Sequence, residues 1–188
     1  MTFDRPVVLD ACVLVAAGLR DTLLRLAETP ALYTPRWSDD IILELERTLQ
    51  KRFDKSPQQT GHLVQELQRS FPEAWVQAYA DLIPSLLNDK KDRHVLAAAV
   101  LCGAQSIVTF NTRHFQPDAV RPYDIEVVHP DDFLLTQFCL DDALVLCRFT
   151  EQANNIGRTV EQQLRAFHHG GALPLFTAAV AKAAGVEL

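Results

Sequence analysis

The chain of 188 residues is 48% hydrophobic and 22% charged, which excludes a disordered, collagen-like or low-complexity protein. Its length suits one ordinary domain with an appendage and excludes two full-sized domains. The formal net charge of −6, from 24 acidic and 18 basic side chains, excludes a global positive field that would draw the protein onto nucleic acid. Any nucleic-acid binding must therefore be local.

Three features bear on cellular location. The longest nearly uncharged stretch, residues 95–110, is interrupted by polar residues and falls short of the apolar length that a bilayer span needs. The N-terminal segment shows no basic n-region. The four cysteines form no CxxC pair, which favours buried reduced thiols over disulfides or a zinc site. We expect a soluble, cytoplasmic protein that does not associate with a membrane.

Short apolar runs alternate with amphipathic segments in the N-terminal part of the chain. Residues 6–9 predict a buried parallel strand, and residues 11–19 predict the helix that follows it. Residues 31–34 predict a second strand. Ser38 is placed to cap a helix that extends to about residue 52.

The middle of the chain is less regular. Pro57 is placed to open a helix over residues 58–71, and residues 73–79 predict a further short helix. Residues 81–87 are ambiguous. A short edge strand is one interpretation, because Pro84 cannot donate to a central ladder.

The alanine-rich segment 93–101 predicts the strongest helix, and the β-branched run 106–110 and the run 125–128 predict strands. The alternation predicts an α/β domain with a mainly parallel sheet. Beyond about residue 133 the pattern predicts only helices, which form a C-terminal appendage over residues 141–153, 159–167 and 173–184.

Four polar side chains are candidates for a shared site. Ligands of an open parallel sheet bind outside the carboxyl ends of the strands, and Asp10 and Asn111 each follow a strand run. Asp92 opens the alanine-rich helix, and Glu44 lies beside the apolar stripe of the Ser38 helix. If the four converge, they form an oxygen-ligand pocket suited to Mg²⁺ or Mn²⁺.

Each candidate also has an ordinary structural explanation. Asp10 and Asp92 could be helix N-caps, and Asn111 could be a turn residue. Glu44 and Glu46 flank the apolar stripe on opposite sides, and periodicity does not choose between them. The joint arrangement favours a functional site, because independent structural roles explain it less well.

Five segments together resemble a known family. They are VVLDACVL at 7–14, WSDDIILELER at 37–47, KDRHVLAAA at 91–99, IVTFNTRHF at 107–115 and HPDDFL at 129–134. In this order the chain resembles a PIN-domain ribonuclease, in particular VapC-type toxins of type II toxin-antitoxin modules. The resemblance implies a PIN-like three-layer α/β/α nuclease domain with a central, mainly parallel sheet over residues 1–135. A helical C-terminal extension over residues 136–188 resembles one found in a subgroup of these toxins.

The resemblance implies roles for the four candidates. Asp10, Glu44, Asp92 and Asn111 would be the catalytic residues, and the three acids among them would bind the metal. Glu44 is favoured over its neighbour Glu46. Asn111 stands where many relatives have a fourth acid, which removes one negative charge from the site.

Cys12 occupies a position that relatives often fill with Asn or Ser. We expect it to be a packing residue rather than a ligand or nucleophile. Basic residues near the proposed pocket in sequence are candidate phosphate contacts, namely Arg36, Lys90, Lys91, Arg93 and Arg113.

The implied activity is Mg²⁺- or Mn²⁺-dependent hydrolysis of RNA phosphodiester bonds by an endoribonuclease toxin. The implied partners are the RNA substrate, a cognate antitoxin protein and a second copy of the chain in a homodimer. The alternatives are a catalytically weak PIN-type RNA-binding module, a housekeeping nuclease and a haloacid-dehalogenase-like phosphatase. The last of these requires an Asp where Cys12 stands, and a receiver module requires an acidic pair that the strand ends lack.

Overall fold

The computed structural model describes residues 5–187 and divides into two compact units. The first unit holds the chain up to Ala16 together with Tyr33–Val128. The second holds Ala17–Leu32 and the chain from His129 onward. The domain boundary expected after residue 135 stays a prediction.

Short parallel strands form the sheet of the first unit. They are β1 (Pro6–Leu9), β2 (Thr34–Ser38), β3 (Trp75–Val76), β4 (Ser106–Val108) and β5 (Glu126–Val128). Their spatial order is β3-β2-β1-β4-β5, and every pairing is parallel. Val8 is in register with Arg36 on one side and Ile107 on the other. All four residues of the central β1 are buried, which explains its wholly apolar sequence.

Helices flank this sheet, as the predicted three-layer α/β/α class requires. The helices of the first unit are α1 (Ala11–Val15), α3 (Asp39–Phe53), α4 (Pro57–Ser70), α5 (Arg93–Leu101) and α6 (Pro117–Val120). The Ser38 hydroxyl accepts a hydrogen bond from the Ile41 N–H, which confirms the predicted cap of α3. Gly103 adopts a φ of +63° after α5 and thereby ends that helix.

The predicted helix over residues 11–19 is interrupted. Ala16 is extended, with a ψ of 112°, so α1 ends at Val15 and a separate helix begins at Ala17. The predicted strand over residues 31–34 was also wrong, since β2 begins only at Thr34. Of the residues that precede the strand, Ala31 is exposed, Leu32 is half-buried and Tyr33 is buried, so Tyr33 packs into the core without pairing in the sheet.

The region between α4 and α5 differs most from the prediction. In place of a helix over residues 73–79, a 3₁₀ turn at Pro72–Ala74 leads into β3. Trp75 of β3 pairs with Trp37 of β2, so tertiary pairing overrides the local helical pattern. The edge strand considered for residues 81–87 was wrong, because Ala80–Ser85 forms a 3₁₀ helix.

The second unit is helical, as predicted for the C-terminal extension. Its helices are α2 (Ala17–Leu26), α7 (Pro130–Leu140), α8 (Asp142–Asn155), α9 (Val160–His169) and α10 (Pro174–Ala184). Thr22 of α2 donates a hydrogen bond of 2.7 Å to Gln152 of α8. The buried Asp131 carboxylate accepts the N–H groups of Leu175 and Phe176 at 3.0 and 2.8 Å, and so caps α10 from another helix.

Among the described residues the four cysteines form no disulfide, and the expectation of buried thiols was wrong: Cys12 and Cys102 are only half-buried. Cys139 and Cys147 are exposed, on α7 and α8. Other apolar residues of these helices, such as Leu134 and Val145, are buried instead. Within residues 5–187, none of the helices has the length and apolar character needed to span a bilayer.

Candidate active site

Asp10 lies directly after β1, where the central strand meets the start of α1. It is 2% exposed, and its Oδ2 atom accepts hydrogen bonds from the Thr109 hydroxyl at 2.6 Å and the Cys12 thiol at 3.1 Å. Thr109 follows β4, which runs parallel beside β1, so both residues lie at the carboxyl edge of the sheet. Asp10 occupies the N-cap position of α1 without making a side-chain capping bond, so capping does not explain it.

Two backbone N–H groups join the chain after β4 to this network. The N–H of Asn111 donates to the Thr109 hydroxyl at 2.9 Å, and the N–H of Phe110 donates to the Cys12 sulfur at 3.3 Å. The side chain of Asn111 is half-buried and does not cap the turn that follows it. The Thr109 hydroxyl thus links the backbone N–H of Asn111 to the carboxylate of Asp10.

Cys12 remains a protonated thiol in this position. Its burial, together with the neighbouring Asp10 charge, raises the pKa of Cys12 to about 12. A protonated thiol donates to the Asp10 carboxylate, whereas a thiolate would repel it. Cys12 therefore supports Asp10 and is not placed to act as a nucleophile near neutral pH.

Asp92 is the second buried carboxylate of the candidate site, and it directly precedes α5. Its Oδ2 atom lies 2.8 Å from Nδ1 of His114, and its side chain makes no capping bond to α5. Burial raises the pKa of Asp92 and the Asp10 charge raises it further, while the hydrogen bond to His114 acts in the opposite direction. Asp10 and Asp92 are therefore within electrostatic range of each other.

Glu44 lies on α3 and is half-exposed. Its Oε2 atom is 3.7 Å from Nε2 of His94, beyond hydrogen-bond distance. Partial burial raises the pKa of Glu44, the Asp10 and Asp92 charges raise it further, and His94 lowers it. Glu44, Asp10 and Asp92 thus form one group of mutually repelling carboxylates. Within residues 5–187, the Asn111 side chain makes no hydrogen bond to this group.

Three residues that lie beside these carboxylates were missed by sequence reasoning: Thr109, His94 and His114. Thr109 directly follows a strand run, so the strand-end rule that singled out Asp10 could have found it. His94 is two residues from Asp92. Imidazole and hydroxyl groups can bond to carboxylates, so the residue types were a signal. No local sequence pattern shows which carboxylate each of the three residues lies beside.

The five basic residues suggested as phosphate contacts divide into two groups. Arg36 donates to the backbone oxygen of Glu73 at 2.6 Å, and Arg93 donates to that of Asn88 at 3.2 Å. The other three are exposed at the surface, namely Lys90, Lys91 and Arg113. These three remain the better candidates for binding an anionic ligand.

The donor chemistry of the group suits a hard divalent cation. Carboxylate oxygens are the ligands that Mg²⁺ and Mn²⁺ prefer. Burial raises the pKa values of Glu44 and Asp92, and a cation would relieve the carboxylate repulsion that raises them further. Within the part of the chain that the structure describes, no three His, Cys, Asp or Glu side chains are arranged to hold a metal ion. The carboxylates of Asp10, Glu44 and Asp92 fit such an ion by their chemistry and charge, but their side chains would have to move closer together to bind it.

Removing the Thr109 hydroxyl should destabilise the folded protein at this site. Thr109→Val keeps the shape of the side chain but leaves Asp10 Oδ2 and the Asn111 N–H without their shared partner. We expect the free energy of unfolding to fall by about 1–3 kcal/mol in denaturant titrations. Thr109→Ser, which keeps the hydroxyl, is the matched control, and an equal loss in both variants would show that the hydroxyl is not responsible.

A family model described as PIN domain matches residues 6–113, which is more than half of the chain. The chain therefore belongs to the PIN-domain family, and the resemblance inferred from its five segments is confirmed. The matched range contains the Asp10, Glu44 and Asp92 group.

One relative shows which kind of PIN-domain protein part of this chain is similar to. Over 67 residues the chain is 55% identical to "Putative ribonuclease VapC50" of Mycobacterium tuberculosis (strain ATCC 25618 / H37Rv). The aligned region covers 36% of this chain and 40% of that protein. This similarity supports the resemblance to VapC-type PIN domains.

Proposed function

We propose that the protein is a metal-dependent endoribonuclease that hydrolyses RNA phosphodiester bonds and acts in the cytoplasm as the toxin of a toxin-antitoxin module. The observation that carries this proposal is the group formed by Asp10, Glu44 and Asp92 at the carboxyl edge of the parallel sheet. Membership of the PIN-domain family and similarity to a protein named as a ribonuclease support it.

The chain's own residues have distinct tasks in this proposal. Asp10 and Asp92 would hold the divalent ion, and Glu44 would ligate it or orient a water molecule. A divalent ion supplies a nucleophilic water near neutral pH and offsets charge that develops on the phosphoryl and leaving oxygens. Thr109 and Cys12 keep Asp10 in place by donating to its Oδ2 atom.

Carboxylates alone would repel the RNA backbone. Lys90, Lys91 and Arg113 are exposed close in sequence to the site and are the groups proposed to attract phosphates. Since the net charge of the chain is −6, this attraction has to be local. RNA affinity should therefore fall when these three residues are neutralised.

The proposal predicts complete dependence on a divalent cation. Purified protein should cleave single-stranded RNA in Mg²⁺ or Mn²⁺, lose that activity in excess chelator, and regain it when the metal is restored. Denaturing gels measure the amount of cleaved RNA. The Asp10→Asn variant, purified in the same way, controls for contaminating ribonuclease. Undiminished cleavage in chelator would rule out the metal-dependent mechanism.

The toxin role is tested in cells. Expression of the chain alone should arrest bacterial growth, and a co-encoded antitoxin that covers the acidic group should relieve the arrest. Normal growth with verified expression of folded, metal-binding protein would contradict the toxin role and favour a housekeeping nuclease.

Asn111 tests the extent of the site. If its amide faces the ion, Asn111→Asp should raise Mn²⁺ affinity, because a carboxylate adds formal charge at nearly the same volume, and Asn111→Leu should lower it. Isothermal titration with Mn²⁺ on the three proteins measures both changes. Equal affinities would place Asn111 outside the coordination sphere, as a turn residue, and limit the metal site to Asp10, Glu44 and Asp92.

A further inference from the structure

His114 contacts the turn that carries Asp92 through two separate atoms. Its backbone oxygen accepts the Asp89 N–H at 2.9 Å, and its ring Nδ1 lies 2.8 Å from Asp92 Oδ2. Asp89 and Asp92 are themselves joined by a backbone hydrogen bond of 2.9 Å. The backbone contact thus fixes the distance at which the ring meets the carboxylate.

The polarity of the ring contact follows from the carboxylate. An ionised carboxylate can only accept hydrogen bonds, so Nδ1 of His114 carries the hydrogen and donates to Oδ2 of Asp92. His94 makes no comparable contact, because its Nε2 atom is 3.7 Å from Glu44. His114 is therefore the histidine whose ring engages an acidic residue of the site by a hydrogen bond.

The contact with His114 matters because the Asp92 side chain makes no hydrogen bond to the helix that it precedes. Although it occupies the N-cap position of α5, its side chain does not cap that helix. Without His114, the Asp92 side chain would have no hydrogen-bond partner among the described residues to fix its orientation. Carboxylates that ligate metals are themselves held by hydrogen bonds, and loss of such a partner typically costs 10- to 100-fold in metal affinity or activity.

We propose that His114 is a positioning residue for Asp92, holding Oδ2 through Nδ1 so that Oδ1 is left to ligate the divalent cation. This inference rests on the proposed function, because it assigns the carboxylate a metal to hold. It separates the two oxygens of Asp92 by task, as Thr109 and Cys12 separate those of Asp10.

The test compares two substitutions of His114 that differ in one group. His114→Ala removes the donor, while His114→Asn places an amide N–H close to the position of Nδ1. Mn²⁺ affinity, measured by isothermal titration, should fall about 10- to 100-fold for His114→Ala. It should stay close to the wild-type value for His114→Asn, since the donor is retained. His62→Ala, at an exposed histidine of α4, should leave affinity unchanged.

Circular dichroism and thermal melting establish that each variant is folded before the titration. Wild-type affinity in folded His114→Ala would overturn the inference. An equal loss in the Ala and Asn variants would also overturn it, because the hydrogen-bond donor would then be irrelevant. So would a wild-type protein that binds no Mn²⁺.

RNA cleavage is measured separately on the same proteins. If wild-type protein binds Mn²⁺ but cleaves no RNA, the proposed function fails, and the Mn²⁺ affinities of the His114 variants still decide the role of His114. If wild-type protein cleaves RNA and His114→Ala binds Mn²⁺ normally, the proposed function stands and the inference fails.

Discussion

Asp10→Asn is expected to reduce RNA cleavage by more than about 100-fold, since loss of a residue that only supports a metal ligand already costs about 10- to 100-fold. The substitution removes the charge from a carboxylate that is 2% exposed but keeps an oxygen that can accept from Thr109. The folded state should therefore be retained. Single-turnover cleavage of a defined RNA in Mn²⁺ measures the effect.

Asp118→Asn is the matched control for this experiment. The Asp118 side chain is 92% exposed on α6 and takes part in a surface ion pair, so the same chemical change there should leave cleavage unaltered. Wild-type activity in Asp10→Asn, or an equal loss in both variants, would contradict the role proposed for Asp10.

Trp37→Ala is expected to lower the free energy of unfolding by about 3–5 kcal/mol, the usual cost of truncating a large buried aromatic residue. Trp37 is fully buried on β2. Its ring meets those of Trp75 and Phe71 edge-on, with centroid separations of 5.3 and 6.0 Å. Denaturant titration followed by far-ultraviolet circular dichroism measures the loss.

Trp37→Phe should cost less than Trp37→Ala for two reasons. It keeps an aromatic ring, and it removes an indole N–H that is buried without a hydrogen-bond partner among the described residues. Leu87→Ala, at a side chain that is 77% exposed, should change the free energy of unfolding by less than about 0.5 kcal/mol. A loss below about 1 kcal/mol in Trp37→Ala would contradict the packing described for β2.

Local sequence was sufficient where one physical signal dominated. The wholly apolar run of β1 predicted a buried central strand, and Ser38 predicted the start of α3. The two-residue β3 was beyond such reasoning, because Trp75 and Val76 show no period and pair only through their register with β2. The predicted end of the first helix was wrong for a similar reason. Nothing in the apolar pattern indicates that the backbone of Ala16 is extended.

The candidate site was predictable to a similar depth. The rule that ligands meet the carboxyl edge of a parallel sheet indicated Asp10 from the sequence, but it did not distinguish Glu44 from Glu46. Thr109 contacts Asp10 across 99 residues and His114 contacts Asp92 across 22, and such pairings depend on the completed fold. Whether these residues act in catalysis stays a prediction that the variants above test.

The affiliation of α2 limits how the chain can be shortened. Residues 17–32 group with the C-terminal helices, although they lie between β1 and β2 in sequence. Thr22 and Gly18 are hydrogen-bonded to Gln152, and Leu23 and Leu26 are buried in this unit. Deleting the C-terminal helices alone would expose the apolar face of α2 to solvent, so a fragment limited to the first unit requires a second, internal deletion that replaces residues 17–32 with a short connector.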